Sequence, residues 1–218
     1  MEKNLTPLNS RLVANKLISI NAASFSIEQP FIYASGLCGP FYCDNRMALS
    51  HVAVRNIIVE EALVKIQNEH LNFDYIAGIA TAGIPLASIL ADRLMKPLIY
   101  VRTAAKGHGK KNQVEGDFVV GKKALLVEDL VNQGKSLIDA LLGVRREGLV
   151  VSDALCIVDY NHQTAKNSLS EHGLSLHSLT NFSSLVEEAF LLKSINKNEV
   201  EELTLWHLDP VAWSARIK

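Results

Sequence analysis

The sequence predicts an α/β fold built on a parallel sheet with helical crossovers, and three observations predict it. Short apolar runs of strand length recur at residues 75–80, 98–101, 124–127 and 154–158. Stretches with helical apolar spacing stand between and around them, the pattern of βα units rather than hairpins. The run at 124–127 ends in two adjacent carboxylates, Glu128 and Asp129, followed by a short polar loop containing Gly134. In an open α/β sheet, ligands bind where strands end and loops lead into helices.

Taken in order, residues 10–18 read as an amphipathic helix, and 48–69, with apolar Val52, Val54, Ile57, Ile58, Ala62, Leu63 and Ile66, as a longer one. Residues 75–80 are a strand, 81–83 a turn, and 84–94 a helix that tolerates Pro85 in its first turn. After the strand at 98–101 the pattern breaks. Residues 102–121 are polar, basic and Gly-punctuated, too long for a simple turn, and read as a mobile flap over a site, with an ordinary surface loop as the bland alternative. The strand at 124–127, a helix at 136–146 and a strand at 154–158 follow. From about residue 183 to 218 the chain reads as a helical element in which Trp206 and Trp213 serve as packing anchors. With no internal repeat, residues 1–218 are expected to form a single domain.

Composition narrows the function. With 48% hydrophobic residues the chain can bury a real core, and a net charge of −1 supplies no basic field for nucleic acid or a membrane surface. No apolar stretch reaches bilayer length and the N-terminus lacks a signal-peptide core, so a soluble cytoplasmic protein is expected. Cys38, Cys43 and Cys156 are scattered, which argues against a disulfide framework or a zinc site. The seven His form no close ligand pair, so no metal site made by the protein alone is expected. His51, His70, His162, His172, His177 and His207 read as surface or packing residues; Arg46 reads equally as a ligand contact or as a partner of a carboxylate.

Gly134-Lys135-Ser136 invites a P-loop reading, but that motif needs a second Gly five positions earlier, where Asp129 stands. An acidic pair at a strand end, a glycine that lets backbone N–H groups approach an anion, and a helix N-terminus just beyond make a site for a phosphorylated ligand. The alternative is a strand with a solvated acidic turn.

Residues 128–136 resemble the phosphoribosyl pyrophosphate (PRPP) signature of type I phosphoribosyltransferases. Three further pieces resemble the orotate phosphoribosyltransferase family, and more closely its form in Gram-positive and related bacteria. They are Ser35-Gly36-Leu37-Cys38-Gly39-Pro40-Phe41-Tyr42-Cys43-Asp44-Asn45-Arg46, then Gly78-Ile79-Ala80-Thr81-Ala82-Gly83-Ile84-Pro85, then Tyr100-Val101-Arg102 with Lys106-Gly107-His108-Gly109 and Glu115-Gly116. The resemblance implies a type I phosphoribosyltransferase fold: a parallel sheet with flanking helices and a small hood formed by N-terminal and C-terminal elements. It implies transfer of ribose 5-phosphate from PRPP to orotate, with Mg²⁺ bound through PRPP rather than by protein ligands, in pyrimidine synthesis. It places PRPP on Thr81, Ala82, Arg102, Lys106, His108, Glu128, Asp129, Leu130, Val131, Asn132, Gln133, Gly134, Lys135 and Ser136. Orotate falls on Asn132, Tyr42 and Cys43, and catalysis on Lys106, His108, Glu128 and Asp129. It also implies a homodimer whose flap reaches the neighbouring subunit's site.

This chain departs from the family in two places. Thr103 and Ala104 stand where members usually carry a further flap lysine, with Lys110 or Lys111 as possible substitutes, and Asn132 and Gln133 stand where the phosphate loop usually has hydroxyls. These departures leave an alternative from another class: a catalytically weakened protein of the same fold that binds PRPP or a nucleotide as a regulator. A purine-specific transferase is a third reading, against which the segments at 35–46 and 102–121 speak.

Overall fold

The computed structural model describes residues 8–33, 35–102 and 112–217. The chain divides into two compact units, one of residues 55–179 and one made of the chain up to Val54 together with everything from Thr180 onward.

The second of these units joins the two ends of the chain. Its N-terminal part comprises helix α1 (Leu8–Ser19), strands β1 (Ala23–Phe25), β2 (Phe31–Ile32), β3 (Cys38–Gly39) and β4 (Phe41–Cys43), a 3₁₀ turn (Asn45–Ser50), and the start of α2 (Val52–Asn68). β1 pairs antiparallel with β4, and β2 with β3. The single helix expected over 48–69 is therefore two elements. Asp44 caps the 3₁₀ turn by accepting from the Arg46 N–H, and His51 breaks the path before α2.

The larger unit carries β5 (Tyr75–Ile79), α3 (Gly83–Leu94), β6 (Leu98–Val101), β7 (Val114–Glu115), β8 (Ala124–Val131), α4 (Lys135–Arg146), β9 (Asp153–Asp159), α5 (Gln163–Glu171) and β10 (Ser175–Asn181). Its sheet runs in the order β10-β9-β8-β5-β6-β7. The pairs β5–β6, β5–β8 and β8–β9 are parallel and β6–β7 is antiparallel, so the α/β fold with a mostly parallel sheet is as the sequence predicts. Central parallel strands are covered on both faces, which is why β8 opens with the unbroken apolar run Ala124-Leu125-Leu126-Val127. Helix α4 places Leu137, Ala140, Leu141 and Val144 on its inner face at i, i+3, i+4 and i+7. Leu137 and Leu141 are completely buried, each worth about 2 kcal/mol by removal from water.

The C-terminal part is three helices, α6 (Phe182–Leu191), α7 (Lys197–Leu208) and α8 (Pro210–Ile217). A capping box between Asn196 and Glu199 starts α7. Trp206 and Trp213 are both buried, the anchoring role expected of them. Phe41 meets Phe182 edge to face at 5.2 Å, and Phe182 lies 5.4 Å from Trp206, so the two ends of the chain share one aromatic core. Buried Glu188 is satisfied there by Arg11 and Asn15, each at 3.0 Å.

Candidate active site

Register aligns the carboxyl ends of the strands. Gly78 lies opposite Val127 and Ile79 opposite Val101, so three segments leave the sheet along one edge: residues 80–83 after β5, Arg102 after β6, and the loop after β8. Packing forces the first and third together. A Cβ on Gly83 would run into the Val127 carbonyl oxygen and stand 3.1 Å from the Glu128 Cα, so only glycine lets α3 begin against the backbone of β8. Thr81 is exposed and Ala82 half-buried beside this contact.

The acidic pair sits deeper than the sequence suggested. β8 does not stop at Val127 but continues to Val131, because β9 goes on pairing with it: Glu128 faces Cys156, Leu130 faces Val158 and Val131 faces Asp159. Glu128 is therefore buried within the strand, not on an exposed tip, while Asp129 is half-buried. Glu128 Oε1 accepts the Asp129 N–H at 3.0 Å. Burial pushes the Glu128 carboxyl up to about 8, the charge of Asp129 adds to the rise, and the backbone hydrogen bond offsets part of it. The same surroundings, desolvation first and then Asp159, Glu128 and Asp129, raise the Cys156 thiol, an inert buried group.

Beyond β8, Asn132, Gln133, Lys135 and Ser136 are exposed and Gly134 is buried. Gly134 has φ +76° and is the N-cap of α4, so no side chain caps the first turn. A helix start with no side-chain cap is an arrangement that suits a phosphate. Gln133 accepts a hydrogen bond from Thr164 Oγ1 at 3.3 Å, an engagement with α5 that spacing could not reveal.

Arg102 is half-buried, its guanidinium 3.3 Å from Glu115. Gln113 joins it from β7's leading edge: the Arg102 N–H donates to the Gln113 carbonyl, and Gln113 Nε2 donates to the Arg102 carbonyl, both at 2.9 Å. Sequence reasoning passed over Gln113, since a lone Gln beside a Gly-punctuated stretch carries no periodicity. Lys106 and His108 lie outside the described residues, as do Thr103, Ala104, Lys110 and Lys111. Tyr42 and Cys43 belong to the other unit. There Tyr42 is exposed with its ring 5.5 Å from Phe31, and Cys43 Sγ donates to Asn45 Oδ1 at 3.4 Å. Arg46 grips Asp44 with both ends of its fork, at 2.6 and 2.8 Å, the carboxylate pairing that was one of its two readings. His207 stacks on Phe182 at 4.6 Å, a packing role.

Among the described residues, no three His, Cys, Asp or Glu side chains converge so as to hold a metal ion. A hard cation bound here would take most of its shell from a ligand's phosphates and water. No described helix is long and apolar enough to cross a membrane.

A parallel sheet whose edge gathers an acidic pair, an uncapped helix start and a glycine-tight second loop defines a class that handles sugar phosphates. Residues 51–175 match the phosphoribosyl transferase domain. The chain is 41% identical over 201 residues to orotate phosphoribosyltransferase of Coxiella burnetii, covering 92% of this chain and 96% of the relative. To the Enterococcus faecalis protein of the same name it is 37% identical, over 94% of this chain and 97% of that one. The crystal structure of orotate phosphoribosyltransferase from Aeropyrum pernix superposes with a TM-score of 0.73 at 30% identity, over 82% of this chain and 98% of that chain. The chain belongs to the orotate phosphoribosyltransferase family.

Proposed function

We propose that this protein transfers the ribose 5-phosphate of PRPP to orotate, releasing pyrophosphate and giving orotidine 5′-monophosphate, a step of de novo pyrimidine synthesis. The observation that carries this is the meeting of Gly83 with the backbone of β8, which sets the 80–83 loop beside Glu128 on the strand that leads to the Gly134 helix start. The names of the relatives supply the base, and they favour the transferase over a regulator.

Breaking the bond between the ribose C1 and pyrophosphate builds positive charge on the sugar and negative charge on the leaving group. Asp129 and Glu128 hold the ribose hydroxyls, and the Asp129 carboxylate favours the cationic sugar. Backbone N–H groups of residues 130–136 hold the 5-phosphate, with the hydroxyl of Ser136 and the side chains of Asn132 and Lys135 around them. Thr81 and Ala82 offer backbone donors to the diphosphate, while Arg102, Lys106 and His108 neutralise the charge that grows on it. Asn132 contacts orotate. Mg²⁺ carried by the diphosphate would add positive charge to the leaving group. The protein acts in the cytoplasm as a homodimer, with Lys106 and His108 serving the neighbouring subunit's site.

The test is the loss of orotate absorbance in the presence of PRPP and Mg²⁺, run beside uracil, adenine, hypoxanthine and guanine. Consumption of orotate alone is the expected result. Turnover of another base with orotate untouched would overturn the proposal, and so would binding of PRPP with no turnover of any base.

A further inference from the structure

We infer that Gln113 is a positioning residue for Arg102, locking it to helix α4 and so holding its guanidinium in register with the phosphate loop from which α4 starts. The inference rests on the reading of Arg102 as a diphosphate ligand. Gln113 is a buried polar residue placed just before the two-residue strand β7. It holds the backbone of Arg102 from both sides, accepting from the Arg102 N–H and donating from Nε2 to the Arg102 carbonyl, each at 2.9 Å. The first of these bonds extends the β6–β7 pairing and would survive any substitution that keeps the backbone. The second belongs to the side chain alone.

The amide that makes this second bond is itself seated on α4. A Cβ added to Gly143 would stand 2.6 Å from the Gln113 amide carbon, so the glycine forms a notch that the amide fills. The Gln113 N–H donates to Glu147 Oε1 at 3.3 Å, one turn further along, where Glu147 is the C-cap of α4. Helix α4 is rigid and runs back to Gly134, the uncapped start that faces the phosphate. Gln113 thus refers Arg102 to the same helix that orients the phosphate donors. Glu115 holds the guanidinium at 3.3 Å from the other strand position. Two groups that must grip one ligand at two points gain from a shared rigid reference, because a misplaced ligand group loses binding to the stretched substrate.

The test compares Gln113→Met, which keeps the volume and loses the donor, with Gly143→Ala, which leaves Gln113 in place and pushes its amide out of the notch. Alanine is the better helix former, so the helix itself accepts Gly143→Ala and a loss of function in it traces to the displaced amide. Both variants should raise the PRPP KM by about fivefold, the scale of one lost hydrogen bond, and leave the orotate KM within about twofold. Added to Arg102→Ala, Gln113→Met should cause no further rise, since the residue it positions is gone. Wild-type turnover of orotate and a raised PRPP KM in Arg102→Ala establish the underlying reading separately. With those in hand, a PRPP KM within twofold of wild type in Gly143→Ala overturns the inference even if Gln113→Met fails to fold. An equal rise from Gln113→Met with and without Arg102 also overturns it, as does a matching rise in the orotate KM.

Discussion

Glu128→Gln should change the pH dependence of stability more than stability itself. The wild-type carboxyl is buried in β8 with its pKa raised from 4.5 to about 8, chiefly by desolvation. A carboxyl raised in the folded state reverses the usual sign. Between pH 4.5 and 8 the unfolded chain has released this proton while the folded chain retains it, so stability falls as pH rises through that window, at about 1.4 kcal/mol per unit. Below 4.5 both states are protonated and above 8 both are ionised, and the slope vanishes. From pH 5 to pH 9 the wild type should therefore lose about 4 kcal/mol that the variant keeps, because Gln is a neutral isostere of the protonated acid and its oxygen can still accept the Asp129 N–H seen at 3.0 Å. At 218 residues this corresponds to a melting-temperature difference that widens by roughly 10 °C across the range. Thermal unfolding of both proteins without ligand, in steps from pH 5 to pH 9, measures it. Curves that stay parallel would refute the reasoning, showing that Glu128 is already ionised in the fold and that its carboxylate has a cationic or solvent partner.

The remaining predictions concern the loops. Gly83→Ala presses a methyl into the Val127 carbonyl and against the Glu128 Cα, both backbone, so it should cost about 2 kcal/mol or more and raise the PRPP KM; a wild-type melting temperature would show that α3 can back away. Asp129→Asn, on the half-buried face of β8, should cut kcat/KM for PRPP while leaving the melting temperature within a few degrees, and unchanged PRPP kinetics would remove Asp129 from the site. Asn132→Thr with Gln133→Thr should lower the PRPP KM by restoring hydroxyls; an equal or higher value would mean that the bond from Thr164 to Gln133 is this loop's own working solution. Lys106→Ala and Asp129→Asn, each inactive alone, should recover roughly a quarter of wild-type activity once their subunits exchange, since half the dimers then hold one intact site of two. Exchange without recovery would place Lys106 in its own subunit's site or in none.

How far the sequence reveals this protein depends on whether the information is local. Helices α3 and α4 and the starts of β5, β6, β8 and β9 are visible because buried faces impose a period on neighbouring residues. Helix α5 and strand β10 are not. In α5 only Ala165 and Leu169 are buried, and the edge strand β10 shows the broken run Ser175-Leu176-His177-Ser178-Leu179-Thr180-Asn181, with no continuous apolar stretch to mark it. The division of the long helix falls at His51, whose backbone leaves the helical region at φ −102° and ψ 86°, a break that no periodicity reports.

The acidic pair marks the limit most sharply. Two carboxylates after an apolar run mark a candidate site, because a ligand gives a reason to place them there. Their protonation is another matter. Pairing with β9, more than 25 residues further on, carries the strand past them and buries Glu128, while Asp129 stays half-buried. Residue type thus points to the chemistry, while a long-range pairing desolvates Glu128 and raises its pKa. The sequence shows two adjacent carboxylates where the fold buries one and leaves the other half-buried, and a buried carboxyl that keeps its proton both donates and accepts hydrogen bonds.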